Sequence, residues 1–143
     1  MKLNTASEVI SFAKELEDTS IEFYKSLAEE LTNESELFNG FVQENEKFKK
    51  QIERAYYSVI TDAIEGGFAF SLEPDKYRFS SETKSCQELK EAVNKAMEIE
   101  EDMINFYTEA AEQSKSLMAD VPRAFKMVAK KRNKRLEELK NMR

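Results

Sequence analysis

The chain has 143 residues and carries 22 Lys and Arg against 28 Asp and Glu, a formal net charge of −6. That length suits one hydrophobic core, and the acidic balance argues against nucleic-acid binding by phosphate neutralisation. Histidine is absent and cysteine occurs once, which excludes a Ser-His-Asp triad, a His-paired cysteine and nearly every zinc site. Three Gly and two Pro leave few forced helix ends, so a few long helices fit better than many short strands.

Thr5 or Ser7 can cap a first helix over about 5–32, with apolar or small residues at Val9, Ala13, Leu16, Ser20, Phe23 and Leu27. A second helix, about 34–60, has its stripe at Phe38, Phe41, Val42, Asn45, Phe48, Ile52, Ala55 and Val59. Helical periodicity fades over about 61–85, where Gly66-Gly67, Glu73-Pro74-Asp75 and several exposed-looking aromatics predict a long connection. A third helix, about 86–115, starts after Ser85 and turns Leu89, Val93, Ala96, Met97, Glu100, Ile104, Tyr107 and Ala111 inward. A fourth, about 121–141, is capped by Asp120 with Pro122 in its first turn; Phe125, Val128, Ala129, Arg132, Leu136 and Leu139 face inward.

The division is supported by an internal repeat. Glu8-to-Glu29 lies over Glu91-to-Glu112 in constant register, placing Ala13 on Ala96, Glu17 on Glu100, Ile21 on Ile104 and Phe23-Tyr24 on Phe106-Tyr107. The expected fold is all-α: one domain over 1–143, a four-helix bundle of two helical hairpins joined by a long crossover.

Charges that interrupt the apolar stripes are the candidate site. Glu17 lies one turn from Ala13 and Ile21, Glu100 sits among Met97, Met103, Ile104 and Tyr107, and Arg132 lies between Val128 and Leu136 with Arg135 bordering the stripe. An unpaired charge in a core costs several kcal/mol, so these groups are expected to meet, each arginine fork holding carboxylates through paired hydrogen bonds. The alternative is a slight misphasing that leaves Glu17 and Arg132 at the edge, heads in water.

Glu15-Leu16-Glu17 leading to Phe23-Tyr24 and Leu27-Ala28-Glu29 recurs as Glu98-Ile99-Glu100, Phe106-Tyr107 and Ala110-Ala111-Glu112. With Phe38-x-x-Phe41-Val42 and Phe125-x-x-Val128-Ala129, this pattern resembles the rubrerythrin-like branch of the ferritin-like superfamily. The resemblance implies a di-iron centre held by one Glu from each of the first and third helices and a Glu-x-x-His pair from each of the second and fourth. By position, Glu17 and Glu100 match the single glutamates. Asn45 and Phe48 stand at the second-helix pair, and Arg132 and Arg135 at the fourth-helix pair. Four ligand positions thus depart from the pattern. The expectation is a degenerate site without cofactor or metal, in which arginine neutralises the acidic pair and Tyr24 and Tyr107 flank it.

The function expected from this is a non-catalytic binding or structural unit. A homodimer through the aromatic-rich 56–80 segment (Tyr56, Tyr57, Phe68, Phe70, Tyr77, Phe79) is one expectation; the alternative is that these rings cover the chain's own bundle. A metal-binding ferritin-like oxidoreductase would instead need Glu44, Glu46, Glu98 and Glu101 as all-oxygen ligands, but Glu44 and Glu46 are expected to point away from the Asn45 face. A catalyst built on Tyr24 or Tyr107 is set aside, since tyrosines at helical spacing are commonly core residues. The basic run Lys130-Lys131-Arg132-Asn133-Lys134-Arg135 spreads around its helix and makes no nucleic-acid face. A lone Cys86 and the lack of any signal-length or membrane-length apolar run predict a reduced cytoplasmic protein.

Overall fold

A computed structural model describes residues 2–61, 70–115 and 120–142, with the side chains of 58–61 excluded. Its long elements are α1 (Ala6–Glu30), α2 (Ser35–Thr61), α3 (Leu89–Gln113) and α4 (Asp120–Asn141). No strand occurs among the described residues; a single bridge joins Leu3 to Leu72. No helix among them is long and apolar enough to cross a membrane.

Local chemistry sets the helix ends. Thr5 caps α1 by accepting from the Glu8 amide at 3.1 Å, while the Glu8 carboxylate accepts from the Thr5 amide at 3.1 Å, a reciprocal capping box. At its far end Leu31 leaves helical geometry, and a 3-10 turn over Thr32–Glu34 leads directly into α2. The expected start of α3 after Ser85 is corrected to Leu89. The Cys86 amide closes a turn on the Thr83 carbonyl, and the helix begins where Glu91 reaches back 3.1 Å to the Glu88 amide. Helix α4 is described from Asp120 onward, and Pro122 sits in its first turn, where an amide proton is dispensable.

Each helix buries an apolar stripe. α1 packs most extensively on α2 and α3 on α4, α2 and α4 meet less extensively, and direct α1–α3 packing is thin. Leu89 and Ile104, expected inward, are only half-buried. The side chain of Val59 lies outside the described residues.

Segment 70–88 occupies the α1–α3 side. The Leu3 amide donates to Leu72 at 2.7 Å and the Ser71 amide to Gln113 Oε1 at 2.7 Å, so this end lies beside the start of α1 and the end of α3. Tyr77 then packs edge-on against Phe106, itself edge-on to Phe12, both at 5.4 Å. Farther on, Thr83 donates to Glu30 at the end of α1, and Lys95 near the start of α3 donates to the Glu82 carbonyl. Helices α1 and α3 are therefore antiparallel, with the segment laid along them. It includes a short 3-10 turn at Pro74–Lys76 that periodicity did not reveal.

This placement corrects the exposed-looking aromatics. Phe70 and Tyr77 are buried in the chain's own core and Phe79 is half-buried against it, so they are not free to anchor a second copy. Tyr57 faces outward at 59% exposure, and Phe68 lies outside the described residues.

Candidate functional site

The middle of the bundle holds a closed set of charges. Glu17, Asn45, Glu100 and Arg132 have no solvent exposure, and Arg135 has 2%. The misphased alternative, with Glu17 and Arg132 in water, is thereby corrected. Helical spacing turns these positions toward the axis with their apolar neighbours.

Arg132 lies between the two glutamates. Its Nη1 donates to Glu100 Oε1 and its Nη2 to Glu17 Oε1, each at 2.6 Å, and Nη2 also reaches Asn45 Oδ1 at 3.3 Å. One guanidinium on α4 thus ties α1, α2 and α3 together. Asn45 in turn donates to Ser20 Oγ at 2.8 Å, which fixes the direction of its amide.

The second carboxylate oxygens are bonded crosswise. Tyr24 of α1 donates to Glu100 Oε2 of α3 at 2.7 Å, and Tyr107 of α3 donates to Glu17 Oε2 of α1 at 2.6 Å. The repeat register maps Glu17 on Glu100 and Tyr24 on Tyr107, so the two bonds are images of each other. The expected flanking tyrosines are therefore direct partners of the glutamates. Burial first, and then the adjacent carboxylate, pushes both phenols well above their usual range, which keeps them protonated as donors.

Arg135 breaks the symmetry. Its Nη1 donates to Glu100 Oε2 at 3.3 Å, and its Nη2 to Glu44 Oε1 at 2.6 Å and to the Phe41 carbonyl at 3.4 Å. Glu100 therefore has three donors and two guanidiniums, whereas Glu17 has two donors and one guanidinium. Burial alone would raise both carboxyls. In Glu100 the attraction of Arg132 and Arg135 outweighs burial, and its pKa falls below the ordinary value. In Glu17 burial outweighs Arg132, and its pKa rises. Both guanidiniums stay charged, because burial is overcome chiefly by Glu100.

The Nε atoms of Arg132 and Arg135 are buried without a hydrogen-bond partner, and aromatic rings lie near both guanidiniums. The Phe48 ring centre is 5.2 Å from the Arg132 guanidinium carbon and 5.8 Å from that of Arg135, and the Phe41 centre is 4.5 Å from the latter. Cation–π attraction offsets part of the lost solvation.

Glu44 is the residue that sequence reasoning misplaced. The divergence of i, i+1 neighbours points it away from the Asn45 face, yet Phe41, Glu44 and Phe48 follow i, i+3, i+7 spacing and share one face. That spacing was the available signal. Glu46, Glu98 and Glu101 are exposed and take no part. Among the described residues no group of three or more Asp, Glu, Cys or His is placed to hold a metal ion. In the basic run, Arg132 and Arg135 turn inward while Lys130, Lys131 and Lys134 face solvent.

Fold and site together define a helical protein with a self-neutralised ion network at its centre. No family model matches the chain, and no curated protein and no solved structure is significantly similar to it.

Proposed function

We propose that this chain is a rubrerythrin-like member of the ferritin-like superfamily in which arginine has replaced the charge of a di-iron centre, leaving a non-catalytic binding or structural unit. One observation carries the proposal: Arg132 lies 2.6 Å from each of Glu17 and Glu100, the residues that the resemblance aligns with the two single glutamate ligands. Further support comes from the crosswise tyrosine bonds, which repeat between α1 and α3, and from a connection laid along the antiparallel α1 and α3, as two hairpins joined the long way would need.

The residues present do not fit a metal. The space between the carboxylates is filled by a guanidinium, the second glutamate position holds Asn45, and no histidine exists to complete a Glu-x-x-His pair. A non-standard carboxylate site is not favoured either, because Glu44 is already bonded to Arg135. Peroxidase or oxidase chemistry of the rubrerythrin kind is accordingly not assigned to this chain.

The test restores the ligand set in one variant carrying Asn45→Glu, Phe48→His, Arg132→Glu and Arg135→His. The folded variant is expected to take up near-stoichiometric iron by elemental analysis, and the parent protein treated identically to take up none. A folded variant that acquires no iron overturns the positional assignment.

A further inference from the structure

A cleft of about 430 Å³ opens to solvent beside Glu44, the partner of Arg135, although the guanidinium itself does not line it. Phe41, Glu44 and Phe48 line it, and all three also touch that guanidinium from the inside. Lys47 and Lys131 stand on its rim, and neither forms an ion pair with a described residue. Glu36, Leu37, Gly40 and Gln43 complete the lining, and a Cβ built at Gly40 meets nothing within 4 Å.

The charge count makes Glu44 the odd member. Arg132 and Arg135 balance Glu17 and Glu100 without it. Glu44 is a third carboxylate, 37% exposed, held at 2.6 Å by an arginine that also bonds Glu100. Arg135 can release it and keep Glu100 and the Phe41 carbonyl as partners, while the Glu44 side chain returns to water at little desolvation cost. With Glu44 displaced, a carboxylate from outside would meet Arg135, the ammonium groups of Lys47 and Lys131, which outnumber Glu36 as the one carboxylate left in the lining, and the rings of Phe41 and Phe48.

We propose that this cleft binds a small carboxylate with a short apolar body, and that Glu44 is an internal stand-in for the ligand's carboxylate, displaced when the ligand enters. The inference is independent of the ancestry proposed above: it needs Arg135 and Glu44 where they are, not a former metal site.

Sodium hexanoate is the probe, titrated by amide-resolved NMR at constant ionic strength into the parent protein and into Glu44→Ala, Glu44→Gln and Gly40→Leu. Weak saturable shifts over residues 36–48 and 131 are expected for the parent. Removing the competing carboxylate should tighten binding by about tenfold or more in both Glu44 variants, including Glu44→Ala, which adds no donor. Gly40→Leu, whose side chain would fill the cleft, should abolish binding without unfolding the helix. The proposal is overturned if neither Glu44 variant binds more tightly, or if Gly40→Leu binds like the parent. It also fails if inorganic phosphate gives the same shifts at the same concentrations, which would mark a general anion patch on the lysines.

Discussion

Glu17 and Glu100 hold equivalent places in the two repeats yet titrate on opposite sides of the ordinary glutamate value of 4.5. The difference traces to Arg135, which bonds Glu100 and not Glu17. The signs follow from which state holds the proton more tightly. A raised folded value, as in Glu17, contributes stability that is full below 4.5 and lost as pH rises through that folded value. A lowered one, as in Glu100, contributes stability that is full above 4.5 and lost as pH falls through it. Glu17→Gln removes only the first contribution. The parent should therefore gain stability relative to Glu17→Gln as pH falls from neutrality toward 4.5, measured by denaturant unfolding at each pH. An unchanged difference between the two proteins would show that Glu17 is not shifted upward. That charges sit out of phase with apolar stripes was legible in the sequence, because i, i+3 and i+4 spacing is visible along one helix. Which tyrosine meets which glutamate was not, since that depends on the relative register of two helices distant in sequence.

At the scale of elements, the starts and stops are chemical events that differ in how plainly they are written. Thr5 with Glu8 three residues on is an explicit capping signature, and the structure uses it. Thr5→Ala is expected to cost about 1 kcal/mol, with fraying confined to the first turn of α1 in hydrogen exchange; no measurable loss would mean that the cap is not Thr5. The start of α3 was harder to place, because Ser85 and Cys86 offer the same small polar chemistry as a cap while the reciprocal contact belongs to Glu88 and Glu91. The segment before α3 shows a further limit. Aromatics outside any periodic stripe look exposed in sequence, yet Phe70 is buried and Tyr77 packs on Phe106 where direct α1–α3 packing is thin. Nothing along a chain reports such a groove; it arises only once four helices are assembled.

For the whole molecule, the ion network acts more on arrangement than on net stability. Two carboxylates and two guanidiniums withdrawn from water carry a large desolvation penalty, which their mutual attraction roughly offsets, and a well-packed apolar centre of equal volume could be as stable. What the network does impose is register: Arg132 reaches Glu17, Asn45 and Glu100 together only when all four helices are correctly seated. The all-helical architecture was legible because the apolar stripes, the scarcity of Gly and Pro and an internal repeat agree with one another. The placement of Glu44 was not, because its partner Arg135 reaches it from another helix across the α2–α4 contact. Equilibrium unfolding of Arg132→Ala tests the account most directly. A loss of about 3–5 kcal/mol is expected, because two buried carboxylates would lose the guanidinium they share. A loss under about 1 kcal/mol, the range of a solvent-exposed ion pair, would contradict a guanidinium standing between Glu17 and Glu100 at the centre of the bundle.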